Sequence, residues 1–561
     1  MKYFFSWSLF LGAISVVAAA DESVTKPSGG LPNIVIILAD DLGYGDPHCY
    51  NPERGKISTP NIDKLAAQGM RFTDAHSSAA VCSPSRYTLL TGRYHWRTRL
   101  QGGIVPYLGE PEIEPTRLTI AGLARQNGYA TACIGKWHLG MGWDLGGKTP
   151  KEFVNDSSQL PKDEDVTPSK ELVALWKEVF SKPISGGPLT AGFDRYFGTD
   201  VPNWPPFCFI ENDRTLGIPK AYLHADQVKG EPFMASFQGP ALEDWNLFEI
   251  LPTIGRKACE YVREQAADGK PFLLYFSLTS PHEPLAVNEP WRGKSGLHYY
   301  ADFVMETDAV VGSVLEAIQS NGIAENTLVI FTSDNGSTKG TRRQLEGLGH
   351  FPSGPLRGYK HDVWEGGHRI PFIVRWPGHV APESVCDRLV HQADVMATLA
   401  EILDRPLPPE AGVDSFSFLP LLKGSQKPVR NYAVSCGSLV RGGRNSFGFR
   451  SDDWKLIVAE KAELYNLAKD MGETTDLATQ EPERVKEMQA QFEQIILNGR
   501  STLGPKQAND VAVQSAAGAK GRRSTEQKNR VECGVVPAIP QSISGNTNQN
   551  SALHHGASKK F

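Results

Sequence analysis

The hydrophobic positions of this chain fall into short unbroken runs, each paired with a neighbouring stretch of helical spacing. In "LPNIVIILADDLGYGD", residues 34–38 are continuously apolar and rich in β-branched side chains, the pattern of a strand covered on both faces. "STPNIDKLAAQGMRF" predicts a helix with Thr59 as cap, Pro60 in the first turn and Gly69 at its stop. "TRLTIAGLARQNGYATACIG" reads as helix, Gly128, then strand. "ADFVMETDAVVGSVLEAIQSNGIAENTLVIFTSDNG" repeats that plan, with Gly322 ending the helix and residues 328–332 forming the strand. Helices alternating with buried strands predict an α/β domain built on a mostly parallel sheet.

Between about residues 142 and 245 the regularity fails. Proline, glycine and charge dominate there, with one helix predicted in "SKELVALWKEVF". Long irregular insertions of this kind sit over a ligand-binding edge or form mobile surface loops. Past residue 430 come short strand-like runs, "NYAVSC", "SFGFRS" and "WKLIVA", and then the charged helix "PERVKEMQAQFEQIIL". The expected organisation is an α/β domain over 21–429, a smaller α+β module over 430–503, and a disordered tail over 504–561. The tail is rich in Ala, Gly, Ser, Gln and Asn and lacks the apolar content to fold.

The N-terminal "MKYFFSWSLFLGAISVVAAADES" has a lysine, an apolar run and small residues before Asp21, which predicts a signal peptide over 1–20. A membrane anchor competes with that reading, but the run is short and ends in alanines. The expectation is an exported protein without stable membrane insertion, periplasmic or secreted, or lysosomal in a eukaryotic cell. The net charge of −5 over 561 residues gives no reason to expect a nucleic-acid partner. The eight cysteines form no CxxC pair and no zinc spacing, so a disulfide-built scaffold is not expected.

Polar residues collect where the predicted strands end, and ligands of open parallel sheets bind beyond those carboxyl ends. "NIVIIL" runs into Ala39, Asp40 and Asp41; "TLVIF" runs into Ser333, Asp334 and Asn335. "ATACIG" delivers Lys136, Trp137 and His138, and "PFLLYFSL" delivers His282 in "SPHEP". Asp40, Asp41, Asp334 and Asn335 offer hard oxygen ligands, suited to Ca²⁺ or Mg²⁺ rather than zinc. Alone, "ADD" or "SDNG" reads as a solvated turn; two such ends, each closing a buried strand, favour a metal. In "AAVCSPSRYTLLTGRY", Pro84 fits the first turn of a helix with Ser83 as cap. Such a start presents free N–H groups and positive potential beside Cys82, and Arg86 adds a forked cation.

"CSPSRYTLLTGR" resembles the signature of the type I, formylglycine-dependent sulfatases, C-x-P-S-R followed by L-T-G-R. "GKWHLG" at 135–140 is similar to a second signature of that family. "DD" at 40–41, "SPHEP" at 280–284, "SDNG" at 333–336 and "LRGYKHDVWEGGHRIP" at 356–371 match further segments in order. The resemblance covers roughly residues 31 to 500. It implies an alkaline-phosphatase-like α/β domain with a smaller C-terminal antiparallel sheet, and a sulfuric ester hydrolase. It further implies that Cys82 is oxidised to Cα-formylglycine by a maturation system, and that Asp40, Asp41, Asp334, Asn335 and residue 82 bind one Ca²⁺. Arg86, Lys136, His138, His282 and Lys360 would surround the sulfate. The aldehyde adds water; one hydroxyl attacks sulfur with help from Asp334, His282 or Lys360 protonates the leaving alcohol, and His138 deprotonates the second hydroxyl.

Weaker candidates for substrate contact are His95, Trp96 and Arg97 after the signature, Asn203 and Trp204 in the insertion, and His368. The insertion "FDRYFGTDVPNWPPFCFIENDR" resembles counterparts in polysaccharide- and galactosamine-sulfate-directed members, which points to sulfated carbohydrate. Competing readings are a broad arylsulfatase, a phosphoester hydrolase of the same superfamily, and a non-catalytic sulfated-glycan binder with unmodified Cys82. Two sequons occur, "NDS" at 155–157 and "NGS" at 335–337. A glycan on Asn335 would destroy a candidate metal ligand, so that sequon is expected to be silent.

Overall fold

A computed structural model describes residue 1 and residues 30–153, 167–224, 236–438, 446–459 and 461–513. The apolar N-terminal run, the sequon at 155–157 and positions 514–561 lie outside the described residues. No helix among those described is long and apolar enough to cross a membrane.

The central sheet has ten strands, numbered in chain order. They are β1 (Asn33–Ala39), β2 (Met70–Phe72), β3 (Ala130–Lys136), β4 (Arg195–Thr199), β5 (Ile210–Glu211) and β6 (Arg214–Thr215), then β7 (Phe272–Ser277), β8 (Thr327–Ser333), β9 (Phe372–Arg375) and β10 (Ser384–Cys386). Their spatial order is β10-β2-β9-β8-β1-β7-β3-β4-β5-β6. The middle, β8-β1-β7-β3-β4, is wholly parallel. Beside it β9 runs antiparallel, and β5 and β6 close the far edge as an antiparallel hairpin.

The unbroken apolar runs have a direct cause. Ile34, Ile36 and Leu38 of β1 face a layer that includes helices Cys82–Thr91, Ile120–Gln126 and Asp394–Ile402. Val35, Ile37 and Ala39 face the other layer, with helices Pro60–Ala67, Ile250–Asp268 and Tyr299–Ser320. Both faces are dry, so neither alternate set is polar. The insertion is more ordered than its composition implies: β4 comes from it and adds to the sheet beside β3, and the expected helix spans Lys170–Phe180 with Ser169 Oγ accepting from Leu172 N at 3.1 Å.

A second sheet of four antiparallel strands, Tyr432–Cys436, Phe447–Ser451, Trp454–Val458 and Glu463–Asn466, is followed by helix Pro482–Asn498. It is joined to the core by a bridge between Ala79 and Cys436. The chain past the expected boundary at 503 does not leave the body at once. Asp510 forks onto Arg93 at 2.8 and 2.9 Å, and Asn509 Oδ1 accepts from Arg97 at 2.9 Å. The seven described cysteines are all free.

Candidate active site

The carboxyl ends of β1 and β8 are adjacent in the sheet, so their polar tails meet. Asp41 N donates to Asp334 Oδ1 at 3.1 Å, and Asn335 Nδ2 donates to Asp41 Oδ1 at 2.7 Å. Asp41 has the left-handed φ of 65°, a conformation that Asp tolerates and that these bonds hold in place. Gly336 lets the loop close up: a Cβ there would lie 2.0 Å from the Gly366 carbonyl oxygen. Asp40, Asp41, Asp334 and Asn335 are all buried.

Helix Cys82–Thr91 points its start at this cluster. Cys82 is its first residue and Val81 the capping position, so the helix begins before the expected cap; Ser83 Oγ instead accepts from Val105 N at 3.1 Å. Gly92, at φ 63°, ends the helix in a conformation that favours glycine. Cys82 Sγ lies 3.5 Å from Asp40 Oδ1 and 3.7 Å from Lys360 Nζ. Burial, and then the Asp334 charge, push the thiol up, so an unmodified Cys82 is a neutral sulfhydryl rather than a thiolate nucleophile.

The acids and bases are interleaved. Lys136 Nζ meets Asp40 Oδ2 at 2.6 Å, and Lys360 Nζ meets Asp41 Oδ2 at 2.7 Å. Burial opposes ionising Asp40, but Lys136, His282, Arg86 and Lys360 hold its carboxyl well below the usual range. Asp334 is pushed up to about 7 by burial and by the neighbouring Asp40. Three carboxylates this close and this dry stay ionised together only with more positive charge among them. The Asn335 Oδ1 has no hydrogen-bond donor among the described residues although it is buried. Hard oxygens with one orphaned amide oxygen fit a Ca²⁺-type cation. Asp40, Asp41, Cys82 and His282 each offer a ligand atom within 4.8 Å of the others.

Arg86 takes a different place from the one expected. Its Nε and one terminal nitrogen both reach Asp334 Oδ2, at 3.2 and 2.8 Å. That same nitrogen lies 3.3 Å from Asp40 Oδ1, while the other donates to the Lys136 carbonyl and to Ser277 Oγ. Fully buried and saturated, the guanidinium organises the carboxylates from behind instead of facing a sulfate. His138 is the opposite case. Its ring is buried and neither nitrogen has a partner among the described residues, while Asp200 Oδ1 accepts from its backbone N–H at 3.0 Å and fixes its left-handed φ of 56°. Burial, Lys136 and Arg86 hold its pKa well below the usual value, so the ring is a neutral imidazole. His282 Nε2 stands 3.7 Å from Asp41 Oδ2, and burial and Lys360 lower it to about 4.

Of the weaker candidates, the structure brings only the insertion segment to the pocket. Trp204 packs edge-on to the His138 ring with centroids 5.8 Å apart, and Asn203 is its neighbour. His95 is buried against Ser78 Oγ at 3.1 Å. Trp96 and Arg97 belong to the joint with the C-terminal sheet: Arg97 forks onto Asp414 at 2.8 and 2.9 Å and stacks on Trp96. His368 lies in a separate buried cluster, with Nδ1 3.1 Å from that of His76. His76, Glu365 and His368 have a metal-like arrangement, but Lys455 Nζ sits 2.9 Å from Glu365 and 3.1 Å from His368. The Lys455 side chain already fills that place. Asp200 and Glu283 were not singled out from the sequence; burial raises them to about 6 and about 7. Each follows a strand end, and that position was the available signal.

Hard oxygens, a helix start and two lysine side chains therefore meet at the carboxyl edge of a parallel sheet in an α/β protein. The chain belongs to the sulfatase family and is a sulfuric ester hydrolase. The Sulfatase family profile matches residues 32–404, and the profile of the N-sulphoglucosamine sulphohydrolase C-terminal region matches 359–501. The chain is 32% identical over 519 residues to an N-acetylgalactosamine-6-O-sulfatase of Bacteroides thetaiotaomicron, covering 86% of this chain and 98% of that one. It is 30% identical over 528 residues to human arylsulfatase A, covering 88% and 93%. A solved structure from work on glycosaminoglycan metabolism by Bacteroides thetaiotaomicron superposes with a TM-score of 0.69 at 30% identity, covering 83% of this chain and 99% of that one. A solved complex with k-i-k-neocarrahexaose, 23% identical with a TM-score of 0.62 and covering 83% and 92%, shares the fold.

Proposed function

We propose that this sulfatase acts on sulfated carbohydrates of polysaccharide or glycosaminoglycan type after export, with residue 82 matured to formylglycine and Ca²⁺ bound by Asp40, Asp41, Asp334 and Asn335. The observation that carries the reading is His138: a buried, neutral imidazole without a partner among the described residues, packed on Trp204 and within the field of Lys136 and Arg86. Its orphaned nitrogens are matched by a substrate or nucleophile oxygen, and no protein group takes that role among the described residues. The names of the similar Bacteroides proteins, one an N-acetylgalactosamine-6-O-sulfatase and one from glycosaminoglycan metabolism, support a sugar sulfate as substrate.

When bound, Ca²⁺ supplies a field that favours an ionised hydroxyl and draws charge onto a sulfuryl oxygen. As the hydrated aldehyde, residue 82 supplies the oxygen nucleophile that its buried thiol cannot. Lys136 and Lys360, paired with Asp40 and Asp41, offset charge growing on the sulfuryl oxygens, roughly 3–4 kcal/mol per well-placed donor. Lys360, within 3.7 Å of the residue 82 side chain, is placed to hand a proton to the leaving alcohol. His138 takes a proton from a hydroxyl at residue 82. Arg86 keeps Asp334 and Asp40 in register.

Sulfate release from a panel of sulfated mono- and oligosaccharides, with and without chelator, tests the proposal together with the mass of the Cys82 peptide. The expected result is an aldehyde at residue 82 and activity lost to chelator and restored by Ca²⁺. Full activity with an intact thiol, or faster turnover of phosphate esters, overturns it.

A further inference from the structure

Resting on the sugar-sulfate reading above, we propose that the Glu283 carboxylate is a specificity-determining group. It accepts a hydrogen bond from a hydroxyl or amide N–H of the sugar that carries the ester, favouring neutral and N-acetylated sugar sulfates over aryl sulfates and sulfated uronates.

Every other acid at this edge is committed within the protein. Asp40 pairs with Lys136 and Arg86, Asp41 with Lys360 and Asn335, Asp334 with Arg86, and Asp200 with the His138 backbone. Glu283 has no side-chain hydrogen bond or ion pair to any described residue, and it is half-buried.

Its position is fixed. The segment after β7 is tied down where Asp40 N donates to the Ser280 carbonyl at 3.0 Å and Thr307 Oγ1 meets Ser280 Oγ at 2.7 Å. His282 Nδ1 lies 2.6 Å from the Glu283 carbonyl oxygen, so the ring that approaches Asp41 and the Glu283 backbone are held as one unit. The carboxylate feels the charges of both Lys360 and Asp41, so it stands near the pair that His282 also approaches.

A half-buried carboxylate has lost part of its water and gained no protein donor in exchange. A substrate O–H or N–H next to the ester restores that bond. An aryl ring offers no such donor, and a uronate presents a second negative charge. A site that hydrogen-bonds a substrate donor discriminates strongly against analogues that lack one.

The test uses the matured full chain, with kcat/KM measured for N-acetylgalactosamine 6-sulfate, for 4-nitrophenyl sulfate and for a 2-O-sulfated uronate. Parent, Glu283→Gln and Glu283→Ala enzymes are compared. The expected result is a sugar-to-aryl ratio of kcat/KM that falls at least tenfold in Glu283→Ala and less in Glu283→Gln, whose amide oxygen still accepts, with uronate-to-sugar discrimination relaxed in both. A ratio that stays constant while all substrates decline together, or that does not move at all, overturns the inference. A parent that cleaves aryl sulfate but no sugar sulfate sinks the underlying reading and this inference with it. A parent active on sugar sulfates whose ratio ignores Glu283→Ala sinks this inference alone.

Discussion

His138 and Arg86 belong to one site, yet the protein uses them in opposite ways. Every donor group of Arg86 is engaged with Asp334, Asp40, Ser277 or a backbone carbonyl, whereas the ring of His138 has no hydrogen-bond partner among the described residues. Removing Arg86 strands two buried carboxylates. Arg86→Ala is therefore expected to cost about 3–5 kcal/mol of folding stability, read as the denaturant midpoint. His138→Asn removes a proton acceptor while keeping a residue that tolerates φ 56°. It is expected to lower kcat by about 10²–10⁴-fold with the unfolding midpoint held. A His138→Asn protein that unfolds early, or one that stays fully active, contradicts the role given to the ring. The motif named both residues, because spacing fixes which side chains share a strand end or a helix. It did not show that the guanidinium turns inward, since that depends on how β8 and the Cys82 helix pack in space.

At the scale of elements, the turn His95–Arg97 follows the Cys82 helix and belongs to folding rather than to substrate. His95 is buried with one nitrogen on Ser78 Oγ and the other without a partner among the described residues, and burial lowers its pKa to about 3. A histidine depressed in the folded state contributes stability above its unfolded pKa of about 6.5 and loses it as pH falls toward the folded value, at about 1.4 kcal/mol per pH unit. Between about pH 6 and 4, chemical denaturation of His95→Gln should therefore lose stability less steeply than the parent, by the equivalent of one proton. Parallel pH profiles would show that His95 does not titrate as a buried group. The sequence was most legible where one local rule sufficed. Strands β1 and β8 are unbroken apolar runs because both faces are covered. β4 was not legible: "RYFGT" is short and carries Arg195 and Gly198, and it becomes a strand by pairing with β3. Ser83 failed as a cap for a similar reason, since its hydroxyl serves Val105, far along the chain. His95, Arg97 and His368 stood near the motifs and drew attention as polar residues; burial inside a joint cannot be told from exposure in a pocket without the fold.

Across the whole molecule, the small sheet and the large one share an interior. Ala79, Val81, Tyr94 and Trp96 from the core pack in one cluster with Val434, Phe447, Phe449 and Phe492 from the C-terminal sheet and its helix. Around that cluster, Asp414 accepts from Arg97, Ser501 and the Tyr94 backbone, and Ser435 Oγ donates to the Ser77 carbonyl at 2.7 Å. Residues 507–510 then close the joint from outside, with Gln507 N on the Asn498 carbonyl and Asp510 forked on Arg93. Arg93 lies in the L-T-G-R part of the signature, so this strap reaches the end of the helix that starts at Cys82. Two sheets joined through one dry cluster cannot part without exposing it on both sides. Calorimetry of the full chain is expected to show a single unfolding transition with catalytic activity lost across it. Asp510→Ala removes a charged hydrogen-bond pair from a joint that is otherwise intact, and is expected to lower stability by about 2 kcal/mol without splitting the transition. Two resolved transitions in the parent would mean that the small sheet is a separable unit and that the strap only decorates the surface. A single transition that Asp510→Ala splits in two would assign the coupling to the strap rather than to the shared cluster.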